Sequence, residues 1–288
     1  MPVVVVTDST ASLPPEVAAE HGIIVVPLQV VIGAEVHDEG SPGATPERLA
    51  EALRAWTPVS TSRPSPSAML AVYEEAAREG ATEIVSVHLS GDMSGTFESA
   101  QLAAKESPVP VVTVDSRQVG VATGYAALAA AEVVAAGGTA EEAAEAARAR
   151  AAASSSLFYV DTLEYLRRGG RIGAAAALFG GALAVKPLLQ IADGKVASLE
   201  RVRTSARALG RLEEIAVAAA GEAQVDVWVG HLANAERAAQ LVERLRGRLA
   251  PNLAGPDGDR DIWCGELGAV LGAHVGPGMI AVCVAPRL

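Results

Sequence analysis

Short β-branched runs alternate with alanine-rich stretches of helical length through the first half of the chain. "VVVVTD" at 3–8 reads as a strand, and "PPEVAAEHG" as a helix with prolines at its start and Gly22 at its end. "IIVVPLQVVI" at 23–32 is predicted as one second strand. "TPERLAEALRAW" opens with Thr45 as N-cap and Pro46 at the first helical position, and "SPSAMLAVYEEAAREG" repeats the device with Ser65, Pro66 and a closing Gly80. The strand "EIVSVH", the helix beginning in "SAQLAAKE", the strand "PVVTVD" and a long helix over about 119–136 follow. Gly137-Gly138-Thr139 breaks that helix and caps another, which runs to about 153. Such a βαβα series implies a parallel sheet with helices on both faces.

The pattern changes after "AASSSL", which places a boundary near residues 152–157 and divides the chain into 1–156 and 157–288. "LFYVDTLEYL" reads as a strand passing into a helix that stops at Gly169-Gly170, and "AVKPLLQIADGKVASLERVR" as two strands joined by Asp193-Gly194, a strong hairpin dipeptide. A helix over 204–220, the strand "AQVDVWVGHL", a helix over 233–249, a Gly/Pro/Asp-rich loop over 251–260 and a last strand "MIAVCV" complete the second half. Both halves therefore read as α/β, and they share no obvious repeat.

Composition narrows the functions open to this chain of 288 residues. Half of the residues are apolar, but the best candidate for a membrane span, Ile172 to Val185, has only 14 uncharged residues before Lys186, is rich in Ala and Gly, and is too short. That run reads either as ordinary helix packing or as the wall or flap of a ligand channel. "MPVVVVTDST" has no basic region and no cleavage-like site, so no signal peptide is predicted, and a cytoplasmic location fits. A net charge of −11 with 3% aromatic residues argues against nucleic-acid binding, which needs a basic footprint and stacking platforms. Cys264 and Cys283 form neither a disulfide framework nor a metal site and are expected as buried thiols. His21 and His37 are expected at the surface, and His88 and His231 at strand ends without a role.

Candidate chemistry collects where the strands end. In open α/β sheets ligands bind beyond the carboxyl ends of the strands. Those ends carry Thr7-Asp8-Ser9-Thr10, Ser90 with Ser94-Gly95-Thr96, and Asp115-Ser116, while the loop "VSTSRPSPS" brings Thr61 and Ser62. Each set is explained singly as the N-cap of the next helix; together they make a polar rim to a crevice. The order Gly91-Asp92-Met93-Ser94-Gly95 misses the spacing of a nucleophile elbow, and no phosphate-binding P-loop or metal motif occurs. What remains is an anion hook, the Ser94 hydroxyl beside the free N–H groups of a helix N-terminus. A small-molecule phosphotransferase or hydrolase using Asp8 and Ser94 is the competing reading.

Seven motifs taken in order resemble the DegV family of bacterial fatty-acid-binding proteins. They are "TDSTASLP" at 7–14, "TSRPSP" at 61–66, "SGTFESA" at 94–100, "VDS" at 114–116, "VDTLEYLRRGGRIG" at 160–173, "KPLLQIADGK" at 186–195 and "GAHVGPGMIAV" at 272–282. The resemblance implies a two-domain fold, an N-terminal parallel-sheet domain and a C-terminal α/β domain with a mixed sheet, with a ligand tunnel between them. It implies a non-catalytic, lipid-carrying subunit that holds a long-chain fatty acid and offers its carboxylate to a separate ATP-dependent fatty acid kinase for phospholipid synthesis. No cofactor or metal is expected beside the bound acid, and the partners implied are the fatty acid, the kinase and transient contact with a membrane surface. Carried over residue by residue, Thr61, Ser62, Ser94, Gly95 and His274 are expected at the carboxylate. Arg167, Arg168 and Arg171 are expected at the tunnel mouth or the kinase-docking surface. A protonated His274 would strengthen the grip on an anion. Arg63 stands where the family often has Gln and is expected to add charge near the head group.

Overall fold

The computed structural model describes residues 2–178, 186–254 and 261–288. Its strands are β1 Val3–Asp8, β2 Ile23–Val26, β3 Gln29–Ile32, β4 Glu35–Asp38, β5 Val59–Ser62, β6 Glu83–His88, β7 Val111–Asp115, β8 Ser155–Tyr159, β9 Lys186–Ala192, β10 Lys195–Val202, β11 Val225–His231, β12 Trp263–Glu266 and β13 Ile280–Pro286. The helices are α1 Pro15–Glu20, α2 Pro46–Arg54, α3 Pro66–Arg78, α4 Thr96–Glu106, α5 Val121–Ala135, α6 Ala140–Ala153, α7 Glu164–Arg168, α8 Ser205–Ala220, α9 Ala235–Arg248, α10 Ala250–Leu253 and α11 Ala269–Val275. No helix among the described residues is long and apolar enough to cross a membrane.

The first half is built on the parallel sheet β2-β1-β6-β7. Alternation along the strands sends Val3, Val5, Val85 and Val87 to one face, against the alanines of α5 and α6. Val6 and Ile84 point to the other face, against Met69 and Tyr73 of α3 and Ala100 and Ala103 of α4. Thr45 and Ser65 cap α2 and α3 through Arg48 N and Ala68 N, and Thr139 forms a full capping box with Glu142. "IIVVPLQVVI" is not one strand. Pro27 has no N–H to donate, the ladder stops there, and the chain crosses from β2 into β3 of a separate antiparallel sheet, β4-β3-β5. That sheet also takes in Thr61 and Ser62, so both lie on a strand, β5, and not in a loop.

The second half is the mixed sheet β10-β9-β8-β13-β11-β12, antiparallel except for the β11–β12 pair. Asp193 and Gly194 turn the β9–β10 hairpin with φ of 51° and 78°, the pair of positive values that such a two-residue turn requires. One face packs Leu157, Leu188, Val227 and Val282 against leucines of α8 and α9. The opposite face carries Phe158, Leu189, Trp228 and Cys283 and meets Val30, Leu49, Val121 and Tyr125 from the first half. Residues of this shared core line a cavity. Residues 173–178 of the uncharged run form a 3-10 turn; the rest of that run, 179–185, and residues 255–260 of the Gly/Pro/Asp-rich loop lie outside the described residues.

Candidate functional site

A cavity of about 410 Å³ is lined from both halves of the chain. Its polar end carries Thr61, Ser62, Arg63, Ser94, Gly95, Arg171 and His274; its remainder is apolar, with Leu166, Ile191, Trp228, Leu271, Met279 and Cys283. The elements that bring the polar groups together are far apart in sequence. Thr61 pairs with Val30 on β5, and its Oγ1 lies 2.9 Å from Nε2 of His274 on α11. His274 is thus helical, not part of a glycine turn. Glu39 holds the start of that helix, accepting from Val270 N–H at 2.7 Å and from the Ser9 hydroxyl at 2.5 Å, and burial raises its pKa.

The His274 ring is closely confined. Nδ1 is buried and has no hydrogen-bond partner, and a Cβ on Gly169 would run into the ring. Burial first, and the Arg171 charge second, lower the His274 pKa to about 4. The imidazole is therefore neutral near pH 7 in the unliganded protein. A buried polar nitrogen without a partner costs stability unless something completes it.

The opening of α4 supplies the second set of donors. Ser94 Oγ lies 2.9 Å from Thr96 Oγ1 and accepts from Thr96 N–H at 3.3 Å. A side chain at Gly95 would strike Arg63, which donates to the Gly95 carbonyl at 3.1 Å and to Glu98 at 2.7 Å. The extra charge expected from Arg63 is thus already paired with a carboxylate. Arg171 donates to the carbonyls of Met93 at 3.0 Å and Gly169 at 2.6 Å, which ties the two sides of the polar end together. Arg167 and Arg168 do not line the cavity. They are exposed and paired with Glu164, whose pKa their hydrogen bonds hold at about 2, and Arg168 also lies over the Trp56 ring. Beside the polar end a surface groove of about 420 Å³, with Asp92, Gly170 and Lys195, shares Met93, Ser94, Gly95 and Arg171 with the cavity.

His88 is not an idle strand-end residue. Tyr73 donates to Ser86 Oγ at 2.8 Å, Ser86 Oγ lies 2.7 Å from His88 Nε2, and His88 Nδ1 lies 2.9 Å from Asp8 Oδ2. Asp8 also accepts from Thr10 N–H at 3.1 Å, the Thr10 hydroxyl at 2.5 Å and Leu89 N–H at 3.1 Å. Ser86, His88 and Asp8 have the connectivity of a nucleophile triad, but all three are fully buried and line none of the three cavities described. Asp8 is fully buried in that network and lines none of the three cavities described, whereas Ser94 lines two of them, so the structure does not bring the two residues of the phosphotransferase or hydrolase reading into one cavity. Among the described residues, no group of three or more His, Cys, Asp or Glu is placed to hold a metal ion. Cys283 is buried in the cavity wall, whereas Cys264 is exposed on the edge strand β12, against expectation.

The model of the family described as "Uncharacterised protein, DegV family" matches residues 2–287. The chain belongs to the DegV family. A DegV domain-containing protein of Streptomyces coelicolor is 53% identical over 285 residues, covering 99% of each chain. A DegV family protein of Thermus thermophilus, whose structure is described as showing fatty acid binding, superposes with a TM-score of 0.90 at 31% identity over 100% of both chains. DegV of Bacillus subtilis, described as a fatty acid binding protein, gives 0.89 at 30% identity, again over 100% of both. The α/β fold seen here, a parallel sheet beside a mixed one, is the fold of those DegV structures.

Sequence reading missed Glu39, Gly169 and Met93. Glu39 lies in a polar hairpin, and no local signal distinguishes a carboxylate that caps a helix 230 residues downstream from a solvated one. Gly169 reads as a helix stop, and the ring above it comes from another part of the chain.

Proposed function

We propose that this DegV protein binds one long-chain fatty acid in the cavity between its halves, 1–156 and 157–288, and presents the carboxylate to a separate ATP-dependent fatty acid kinase. One observation carries the reading: an apolar cavity ends at the Thr61–His274 pair, where a buried nitrogen has no partner. Kinship with fatty-acid-binding DegV proteins over the full chain supports it.

The physics of the ligand fits both ends of the cavity. Each methylene removed from water is worth about 0.8 kcal/mol, so a chain of ~15 gives on the order of 12 kcal/mol before ordering costs. A bilayer buries the same methylenes at a similar gain, so the cavity competes with a membrane surface on roughly equal terms. A carboxylate cannot be buried bare, and hydroxyls of Thr61, Ser62 and Ser94, with the His274 ring, offer it neutral donors. An acid group beside His274 supplies the missing partner and favours the protonated ring, so the grip tightens only when the ligand arrives. Arg171, fixed by two carbonyls, adds charge without clamping the acid. The adjoining surface groove leaves the head group open to a phosphoryl donor, and exposed Arg167 and Arg168 offer a docking face for an acidic partner. The chain itself contributes binding and orientation, and the phosphoryl chemistry belongs to the kinase.

Organic extraction of the purified protein followed by mass spectrometry is expected to release a long-chain fatty acid in near-stoichiometric amount. A protein that is empty and takes up no labelled fatty acid overturns the proposal.

A further inference from the structure

Two rows of residues cross the mixed sheet on the face that looks into the cavity. Strand register places Ser156, Cys283, Trp228 and Trp263 side by side on β8, β13, β11 and β12. The next row is Phe158, Ala281, Gly230 and Gly265. Neighbouring strands lie about 4.8 Å apart, so each row spans roughly 14 Å. The cavity reaches the first three residues of the first row and stops there; Trp263 belongs to a second cavity, of about 670 Å³.

Trp228 stands between the two. Its six-membered ring lies over Gly230, where a Cβ could not fit, and its Nε1 is within 3.8 Å of the position a Cβ would take on Gly265. Two glycines facing each other on adjacent strands thus make a floor on which the indole lies along the sheet. Behind it Trp263 packs against Tyr125 of α5, with ring centroids 5.7 Å apart, and both line the second cavity. Met279, just before β13, and Ala281 and Cys283 on it all line the first cavity. From Ala281 to Cys283 the strand advances about 7 Å, and the indole, lying over Gly230 in register with Ala281, flanks that stretch of the cavity wall.

We propose that Trp228, laid flat on Gly230 and Gly265 and backed by Trp263 and Tyr125, is the stop that sets the longest acyl chain the protein accepts. This rests on the fatty-acid reading above. The second cavity is the space into which a longer chain passes once the stop is removed.

The test uses the full chain and compares the lengths of co-purified fatty acids by mass spectrometry. It also measures competitive binding of saturated acids from about 12 to about 22 carbons, where each newly housed methylene is worth roughly fourfold in affinity. Trp228→Ala is expected to shift the preferred length upward by two or more methylenes, which raises affinity for the longest acids by roughly 15-fold. Trp228→Phe should give a smaller shift in the same direction. Cys283→Leu, which adds bulk in front of the stop, should shift the preference to shorter acids. If wild type binds fatty acids and the length profile is unchanged in Trp228→Phe and Cys283→Leu, Trp228 is not the stop, whatever the stability of Trp228→Ala. A wild type that binds no fatty acid of any length defeats the functional reading instead.

Discussion

This molecule holds two histidine–hydroxyl pairs that are finished to different degrees. At His88 both ring nitrogens are bonded, to Ser86 and Asp8, in a site without access to solvent or cavity. At His274 one nitrogen meets Thr61 and the other meets nothing, at the wall of an apolar cavity. Residue types alone favour His88 as the chemically interesting one, since it completes a Ser-His-Asp sequence of contacts. The distinction lies in completion: a saturated buried network holds a fold together, and an incomplete one at a cavity waits for a ligand.

The comparison breaks most visibly at Asp8. Asp8→Ala strips the partner from a buried imidazole and orphans two N–H groups, and a loss of about 3–5 kcal/mol in urea unfolding is expected. Next in size is the pH response. The folded His274 pKa of about 4 lies below the usual 6.5, so the unfolded chain binds more protons between those values. Stability is full above pH 6.5 and falls as pH drops toward 4, by on the order of 3 kcal/mol from this group. His231, whose pKa burial also lowers, adds to the same slope. Thermal melts from pH 7 to 4.5 should show that decline, His274→Gln should flatten it, and bound fatty acid should flatten it too by favouring the charged ring.

Thr61→Val is expected to weaken fatty acid binding by about 1.5–3 kcal/mol. By taking the partner of His274 Nε2 it should also cost about 1–3 kcal/mol of stability, less than Asp8→Ala, which should leave binding nearly intact; a fluorescent fatty acid titration beside a urea melt separates the two. Ser94→Ala, whose hydroxyl is partly spent on Thr96, should cost binding only about 1 kcal/mol. An equal loss at Thr61 and Ser94 would mean that the head group is shared evenly between the two elements.

Much of the frame was legible because local chemistry decides it. The caps at Thr45, Ser65 and Thr139 and the Asp193-Gly194 turn depend on residues within a few positions. Pro27 was visible, yet its effect was missed because the apolar run on both sides satisfies a strand pattern. The region from Trp263 to Val275 escaped for the opposite reason: "WCGELGAVLGAHV" is short and glycine-rich and has no clean period, so β12 and α11 were not anticipated. Ser94, with Thr61 and Ser62, was legible as part of a polar rim, while His274 came from family resemblance. That they share one cavity depends on tertiary contacts that no spacing encodes, and so does the sealing of His88.

The bond between Thr61 and His274 joins positions 213 residues apart. A nascent chain therefore carries its hydroxyls long before the ring that completes them has left the ribosome, and closing so long a loop is slow. On the proposed function, the fatty acid is taken up only after synthesis is nearly over, which would confine loading to finished molecules and spare half-made ones from trapping lipid.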